Sequence, residues 1–215
     1  MIVLAGMIGV GKSSYTEMIA RHFQSKAFYE EVDYNPILDR FYENPKKWAF
    51  SLQIYFLNTR IQAIKAASKQ PLNVLDRSIY EDALFTRVNY LQGNMSEIDL
   101  NIYNDLLHDM MQELPGLPKK SPDLLIYLEA EFETILAHIK KRGREFEQID
   151  DDPDLLAYYQ LLYDEYKQWY QDYDASPKIK ISVDEFDIIE HPELEEKVME
   201  KITTALEQNK TQVAK

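Results

Sequence analysis

A glycine-rich loop near the start of the chain constrains the fold more than any other feature of the sequence. Residues 6–13 read Gly-Met-Ile-Gly-Val-Gly-Lys-Ser and satisfy the pattern G-x-x-x-x-G-K-[ST]. An apolar run of four residues precedes the loop, and a segment with helical spacing follows it. In this strand–loop–helix context, glycines allow the backbone amides to wrap around a phosphate group at a helix N-terminus. The sequence therefore predicts a phosphate-binding loop, or P-loop.

Two side chains of the P-loop are expected to act on a bound nucleotide. Lys12 would reach the β- and γ-phosphates of ATP, and the Ser13 hydroxyl would ligate Mg²⁺. ATP and Mg²⁺ are therefore the expected cofactors. The residues assigned to the nucleotide site are Gly6, Met7, Ile8, Gly9, Val10, Gly11, Lys12, Ser13 and Ser14.

Five short apolar runs alternate with longer segments of helical spacing. Strands that alternate with helices form a parallel sheet that is covered on both faces. We therefore predict an α/β fold of three layers, in which a five-stranded parallel sheet is flanked by helices. The strands are predicted at residues 2–5, 27–29, 72–75, 124–128 and 179–183. The helices are predicted at residues 12–24, 47–68, 82–91, 97–114, 134–141, 153–172 and 192–208, with a capping box formed by Ser96 and Asp99.

The length and charge of the chain limit the possible classes of function. Its 215 residues are assigned to one domain, with a lid at about residues 140–150 and a polar tail at about residues 208–215. A net charge of −13 argues against binding to nucleic acid or an anionic membrane. The absence of cysteine excludes disulfides, thiolate zinc sites and cysteine nucleophiles. No stretch of about 18 apolar residues occurs, so we expect a soluble, cytoplasmic protein.

A second candidate element of the phosphate site follows the predicted strand at residues 72–75. Asp76 comes directly after this strand and would hold Mg²⁺, directly or through water. The alternative is that Asp76 only caps the next helix. Arg77 stands at the same carboxyl end of the strand, where open α/β sheets bind their ligands. The alternative for Arg77 is a solvated position on the surface.

A dense basic cluster, Lys-Lys-Arg-Gly-Arg, occupies residues 140–144 of this acidic chain. Arg142 and Arg144 would neutralise the charge on a phosphoryl group during its transfer, as the cations of a closing lid. The alternative is a solvated helix end. The chain has neither the N-K-x-D nor the D-x-x-G motif of a GTPase switch, and it is short for a motor or large ATPase. A small-molecule kinase is therefore the predicted class.

Several further motifs occur together with the P-loop and the basic cluster. They are Tyr29-Glu30-Glu31-Val32, Phe41-Tyr42-Glu43-Asn44-Pro45, the segment 48–60 with Leu52-Gln53-Ile54-Tyr55, Asp76-Arg77-Ser78-Ile79-Tyr80-Glu81-Asp82, Arg142-Gly143-Arg144-Glu145-Phe146-Glu147, and the helical run 158–169. In this order they resemble the deoxynucleoside kinase family, and in particular its bacterial deoxyadenosine/deoxyguanosine kinase branch. The resemblance covers nearly the whole chain. It implies a P-loop kinase-type fold with the P-loop strand in the centre of the sheet, and a homodimer.

The resemblance also implies a general base. Glu30 matches the residue that takes the proton from the nucleoside 5′-hydroxyl as that oxygen attacks the γ-phosphorus. Glu31 stands where many members of the family have proline. Adjacent residues of a strand point to opposite faces, so only one of the two can serve. The family register favours Glu30, and Glu31 remains the alternative.

The acceptor site is implied in the same way. Gln53, Arg60 and Asp82 match the residues that read the base; Gln53 and Arg60 lie seven residues apart and would share a helix face. The alternative is a buried polar network between helices. Tyr42 and Glu147 match the residues that hold the sugar 3′-hydroxyl, and Arg77 matches the arginine near the 5′-oxygen. Asp76 stands where many animal members have glutamate.

Aromatic and histidine residues allow weaker inferences. Phe56 and Phe85 could stack on the base, although packing in the core is at least as good an interpretation. The four histidines do not share metal-ligand spacing and are expected to be structural or solvated; they are His22, His108, His138 and His191.

The predicted function is ATP- and Mg²⁺-dependent 5′-phosphorylation of a deoxynucleoside in nucleotide salvage. Deoxyadenosine is the first candidate, and deoxyguanosine and deoxycytidine remain possible acceptors. One alternative is a nucleoside monophosphate kinase, which would need a cation for the acceptor's phosphate. Another is a non-catalytic P-loop regulator, which would not need Glu30, Asp76 and the lid arginines together.

Overall fold

The computed structural model of the chain describes residues 1–30, 34–112, 121–150 and 152–213. Its strands are β1 Ile2–Ala5, β2 Ala27–Phe28, β3 Val74–Asp76, β4 Leu124–Glu129 and β5 Lys178–Ser182. Its helices are α1 Lys12–Phe23, α2 Leu38–Glu43, α3 Pro45–Ala67, α4 Ile79–Leu91, α5 Glu97–Gln112, α6 Phe132–Arg142, α7 Pro153–Asp172 and α8 Glu195–Val213. Short 3₁₀ turns occur at Glu145–Glu147 and Pro192–Leu194.

The five strands form one sheet in the order β2-β3-β1-β4-β5, and every neighbouring pair is parallel. This arrangement confirms the predicted α/β fold, with the strand that leads into the P-loop in the centre. Parallel strands meet their ligands at the carboxyl edge of the sheet, near the point where the strand order reverses. The segments that follow β1, β2 and β3 are thereby brought together.

The sequence of β1 shows how the sheet separates two apolar layers. Ile2 and Leu4 pack into one buried cluster with α1 and α7, whereas Val3 packs into another with Leu57 and Ile61 of α3. Successive side chains of a strand point to opposite faces, so an uninterrupted apolar run fits a strand that is covered on both sides. The three-layer prediction is confirmed by this division.

Capping side chains explain several differences between the predicted and observed element boundaries. Helix α4 begins at Ile79 rather than residue 82, because Ser78 and Glu81 form a capping box. Helix α3 begins at Pro45, where the Asn44 side chain accepts a hydrogen bond from the Lys47 amide. The predicted capping box at α5 is present, with reciprocal hydrogen bonds between Ser96 and Asp99.

Three other differences have local physical causes. Strand β3 begins at Val74 rather than residue 72, because Leu72 has a φ of 62° and the Asn73 side chain bonds to the Ala67 carbonyl. Helix α2 was not predicted, since its six residues are too few to show a helical period. Helix α8 continues to Val213, so residues 208–213 of the predicted polar tail are helical.

Candidate active site

A cavity of about 470 Å³ lies at the carboxyl edge of the sheet and brings most of the predicted site residues together. Predicted residues that line it are Ile8, Gly9, Gly11, Lys12, Ser13, Ser14, Glu30, Tyr42, Gln53, Asp76, Arg77, Asp82, Arg142, Arg144 and Glu147. Three other residues of the P-loop do not line the cavity: Gly6, Met7 and Val10. Arg60 is likewise outside the lining and lies behind it.

The P-loop connects β1 to α1 and holds the side chain of Lys12 against its own backbone. The Lys12 ammonium donates hydrogen bonds to the Gly6 carbonyl at 2.8 Å and to the Met7 carbonyl at 2.9 Å. Burial lowers the pKa of Lys12 to about 8, Arg77 adds to this effect, and the nearby carboxylates only partly offset it. An anion in the loop would stabilise the charged form of this desolvated lysine.

Two glycines of the P-loop face different surroundings, although both have a left-handed backbone. Gly9 has a φ of +84°, and a Cβ there would lie 2.6 Å from Cγ1 of Ile139 and 3.0 Å from the Ile135 carbonyl oxygen. Gly11 has a φ of +95°, and a Cβ there would meet no atom within 4 Å. Gly11 lines the cavity, so we expect a Cβ at this position to compete with a phosphate for space.

We therefore expect different defects from two alanine substitutions. Gly9→Ala should lower the free energy of unfolding by about 2–4 kcal/mol, through backbone strain and overpacking against α6. Gly11→Ala should cost about 1–2 kcal/mol and abolish measurable ATP binding. Gly93→Ala is the matched control, because Gly93 also has a positive φ and open space but lies outside the cavity. Denaturant unfolding and calorimetry measure the two effects. Wild-type ATP affinity in Gly11→Ala would contradict this account of the loop.

Oxygen atoms suited to a magnesium ion meet where β1 and β3 end. The Ser13 hydroxyl donates a hydrogen bond of 2.9 Å to Oδ2 of Asp76. The other carboxylate oxygen of Asp76, Oδ1, is buried and has no hydrogen-bond partner. A buried carboxylate oxygen without a partner is costly unless a cation or water satisfies it. Hard oxygen donors of this kind fit Mg²⁺ that is shared with nucleotide phosphates.

Glu30 lies just beyond β2 and is held between two arginines. Its Oε1 accepts a hydrogen bond of 2.5 Å from Arg60, and its Oε2 accepts one of 3.1 Å from Arg77. Burial alone would raise the pKa of Glu30, but Arg77, Arg60 and Lys12 outweigh it and lower the pKa to about 2. Glu30 is therefore ionised throughout the neutral range and faces the cavity. Glu31, the alternative base, lies outside the described residues.

Arg60 and Asp82 form a buried pair between α3 and α4. Arg60 Nε donates to Asp82 at 3.1 Å, and Arg60 Nη1 donates to the Asp76 carbonyl at 2.7 Å. Burial raises the pKa of Asp82 to about 6, although Arg60 opposes that shift. Gln53 is buried on the same face of α3, and its side-chain oxygen accepts a long hydrogen bond of 3.5 Å from Thr86. Gln53 and Asp82 reach the cavity, and Arg60 lies behind them within the buried network.

The two arginines of the predicted lid form ion pairs with Glu147, one of the candidate sugar-binding residues. Arg142 ends α6 and lies 2.5 Å from Glu147, and Arg144 lies 3.6 Å from the other oxygen of the same carboxylate. The Tyr42 ring lies 5.0 Å from the Phe146 ring, and burial, together with the neighbouring Tyr159, raises the pKa of Tyr42 well above its ordinary value. Arg144 is half-buried and Arg142 is exposed, and both line the cavity.

Several residues that line the cavity were not expected from the sequence. His138, predicted to be structural or solvated, contacts the P-loop with Nδ1 3.1 Å from the Gly9 carbonyl oxygen. Phe56 and Phe85, by contrast, were candidates for stacking on the base; both line the cavity, and Phe85 also packs within the core and under Arg77. The other unexpected lining residues are Leu38, Phe41, Leu52, Lys141, Tyr158, Asp187, Ile189 and Glu190. Lys141 belongs to the basic run at residues 140–144, and Phe41, Leu52 and Tyr158 belong to segments that carry the family resemblance, but none of the four was assigned to the site.

Comparison with known proteins agrees with this geometry. A family model described as deoxynucleoside kinase matches residues 2–207. The chain is 48% identical to the deoxyguanosine kinase of Lactobacillus johnsonii over 207 residues, a match that covers 96% of this chain and 92% of that protein. It is 46% identical over 205 residues to the deoxyadenosine kinase of Lactobacillus acidophilus, which covers 95% of both chains. A solved structure of deoxyadenosine kinase from M. mycoides with bound dATP has a TM-score of 0.78 and 29% identity, covering 94% of this chain and 98% of that one.

The family match extends over nearly the whole chain, and it agrees with a cavity in which a P-loop, a buried carboxylate and two arginines of the basic run meet. The chain therefore belongs to the deoxynucleoside kinase family.

Proposed function

We propose that this protein transfers the γ-phosphoryl group of ATP to the 5′-hydroxyl of a deoxynucleoside, with Mg²⁺ as cofactor. The observation that carries the proposal is the shared cavity, which is lined by the P-loop, by Arg77 and by the Glu30 carboxylate that bonds to Arg77. The named activities of the Lactobacillus relatives support a purine as the base. Deoxyadenosine is the proposed acceptor, with deoxyguanosine or deoxycytidine as further acceptors.

In the proposed reaction, the protein positions the reactants and neutralises charge, because phosphoryl transfer requires little covalent help. Glu30 accepts the proton of the 5′-hydroxyl at a carboxylate oxygen. Lys12 exchanges its loop carbonyls for phosphate oxygens, and Arg77 stabilises charge near the 5′-oxygen. Ser13 and Asp76 would hold Mg²⁺, which when bound supplies charge neutralisation on the β- and γ-phosphates.

The remaining site residues have proposed roles in acceptor binding and closure. Gln53 and Asp82 would hydrogen-bond to the base, with Arg60 fixing the Asp82 carboxylate from behind. Tyr42 and Glu147 would hold the sugar 3′-hydroxyl. Arg142 and Arg144 pair with Glu147 in this conformation, and they would turn to the phosphates when ATP binds.

An acceptor panel tests this function. ATP and Mg²⁺ are supplied with each of the four natural deoxynucleosides, adenosine and deoxyadenosine monophosphate. We expect turnover of deoxyadenosine, deoxyguanosine or deoxycytidine. Turnover of the monophosphate alone would favour a nucleotide kinase. Intact ATP binding without turnover of any acceptor would favour a non-catalytic regulator.

The pH dependence of acceptor use should follow Asp82. With a pKa raised to about 6, Asp82 takes up a proton as the pH falls below that value, so that it loses its negative charge and accepts a hydrogen bond from a base amino group more weakly. Glu30 remains ionised there, because its pKa is lowered to about 2. At saturating ATP and Mg²⁺, we expect kcat/KM for the deoxynucleoside to fall below pH 6. Asp82→Asn should remove this acid limb, and the exposed control Asp164→Asn should keep it. An unchanged limb in Asp82→Asn would assign it to another group.

We also propose a homodimer that forms through α5. The helix exposes Ile98, Ile102 and Leu106 at four-residue spacing, with 71%, 44% and 37% of their surfaces accessible. An apolar stripe of this kind is typical of an interaction surface. Ile102→Glu should convert the dimer to a monomer in light scattering, whereas Asn104→Glu, which changes an exposed polar residue of α5, should not. A wild-type monomer at micromolar concentration, or a dimer that survives Ile102→Glu, would contradict the proposal.

The remaining proposals concern organisation and location. We propose that residues 1–215 form one domain with a lid at about 140–150, and that the protein acts in the cytoplasm without binding nucleic acid or membranes. The charge of −13 supports weak affinity for both polyanions. None of the helices in the described ranges has the length and apolar character needed to span a bilayer.

A further inference from the structure

A buried hydrogen-bonded cluster lies behind Arg77, outside the residues that line the cavity. It consists of Glu81 from the first turn of α4 and Tyr166 from α7, and both side chains are inaccessible to solvent. These residues are far apart in sequence and have no part in the mechanism proposed above. A buried carboxylate destabilises the fold unless hydrogen-bond donors satisfy it. The donors around Glu81 therefore show which parts of the site it holds together.

Glu81 bonds to the P-loop, where the phosphate donor ATP is proposed to bind. Its Oε1 accepts a hydrogen bond of 3.0 Å from the amide of Gly6, the first residue of the P-loop. The same oxygen accepts one of 2.8 Å from the Tyr166 hydroxyl, and Oε2 accepts one of 2.7 Å from the Ser78 amide. Glu81 thus connects the P-loop to α4 and α7 at one point.

Arg77 contacts both members of this cluster: its Nη1 donates a long hydrogen bond of 3.4 Å to Oε1 of Glu81 and a shorter one to Tyr166. The Tyr166 hydroxyl accepts this hydrogen bond of 2.8 Å from Arg77 Nη1 while it donates to Glu81. Burial, together with the nearby Glu81 carboxylate, raises the pKa of Tyr166 well above its ordinary value, so this donor stays protonated. The backbone of Arg77 has a φ of 77°, a conformation that a residue with a side chain rarely adopts. The Arg77 guanidinium is held by Glu30 through Nε and by Tyr166 through Nη1, with Glu81 as a second and more distant partner of Nη1.

We propose that Tyr166 is a positioning residue that fixes Arg77 for phosphoryl transfer, an inference that rests on the proposed function. When Glu30 turns to the acceptor hydroxyl, its hold on Arg77 weakens. Tyr166 and Glu81 then keep the guanidinium in a fixed relation to Gly6, and so to the P-loop. This connection keeps Arg77, the cation near the 5′-oxygen, in a fixed position relative to the P-loop that binds the phosphates of ATP.

The variant Tyr166→Phe isolates the hydroxyl from the packing of the ring. The ring stacks on Tyr127 with centroids 6.2 Å apart and meets Trp169 edge-on, contacts that phenylalanine retains. We expect kcat to fall between about 10-fold and 100-fold, with KM for ATP and for the deoxynucleoside nearly unchanged. The control Tyr163→Phe also removes a half-buried hydroxyl of α7, one that donates to the Ala130 carbonyl away from Arg77. It should keep the wild-type kcat.

A double-mutant cycle distinguishes positioning from a general loss of stability. If Tyr166 acts through Arg77, Tyr166→Phe should have a much smaller effect on kcat in an Arg77→Lys background than in the wild type. Equal effects in both backgrounds, or equal kcat in Tyr166→Phe and Tyr163→Phe, would overturn the inference. If Tyr166→Phe does not fold, Glu81→Gln should give the same kcat-selective loss, and a wild-type kcat there would overturn it.

The wild-type enzyme separates this inference from the function on which it rests. If the wild type phosphorylates a deoxynucleoside and Tyr166→Phe has the same kcat, only the positioning role is refuted. A wild-type protein that phosphorylates no deoxynucleoside would refute both.

Discussion

Replacing Glu30 with glutamine is expected to lower kcat by about 10²–10⁴-fold while deoxynucleoside binding is retained. The substitution keeps the length of the side chain and removes its ability to accept a proton. In the free enzyme the carboxylate is held by Arg60 and Arg77, and its pKa of about 2 makes it a weak but permanently ionised base. A weak base is sufficient if the proton leaves late, after the bond to phosphorus has begun to form.

The same substitution removes a charge that balances two buried arginines, so stability must be measured with activity. Loss of charge-assisted hydrogen bonds should lower the free energy of unfolding by about 1–3 kcal/mol. Glu133→Gln, an exposed position in the first turn of α6, is the matched control and should keep both stability and kcat. Near-normal turnover of Glu30→Gln would remove Glu30 from the role of general base and leave Glu31 as the next candidate.

The second large effect is expected from Lys12→Met. We expect kcat to fall by about 10²–10³-fold and KM for ATP to rise, because the variant lacks the cation that neutralises the transferring phosphoryl group. The side chain of methionine is similar in length but cannot donate to the carbonyls of Gly6 and Met7, as Lys12 does. Steady-state kinetics with ATP as the varied substrate measures both changes. Lys65→Met, at an exposed position of α3, serves as the control.

The lowered pKa of Lys12 gives this prediction a second, independent readout. Since burial brings the pKa to about 8, the free enzyme loses the positive charge as the pH rises above that value. The apparent affinity for ATP should therefore fall above pH 8, and binding there should be accompanied by proton uptake in calorimetry. ATP affinity that is independent of pH between 7 and 9 would contradict a role for the Lys12 charge in binding.

Much of the fold could be predicted because local sequence signals agree with the tertiary structure. The apolar run of β1 is long enough for a strand and too short for a helix, and the P-loop pattern determines what must precede and follow it. Predictions were wrong where boundaries depend on single side chains. The start of β3 depends on the backbone of Leu72 and the bonds of Asn73, and neither feature changes the apolar pattern.

The candidate site could be predicted where charged residues lie at or just after the ends of strands. Asp76 ends β3, Arg77 follows it directly, and Glu30 follows β2 closely. Their meeting at one edge of the sheet therefore follows from the parallel topology. His138 could not be found in this way, because its contact with Gly9 depends on how α6 packs against the P-loop. The same holds for Tyr166, whose partner Glu81 lies 85 residues away in sequence.

Identification of the product tests the central claim most directly. The wild-type protein is incubated with deoxyadenosine or deoxyguanosine, ATP and Mg²⁺, and the product is examined by ³¹P NMR. We predict a single new phosphomonoester on the 5′-oxygen, formed with one equivalent of ADP. A 3′-monophosphate, or ATP consumption without a phosphorylated nucleoside, would contradict an arrangement in which Glu30 activates the 5′-hydroxyl beside the P-loop.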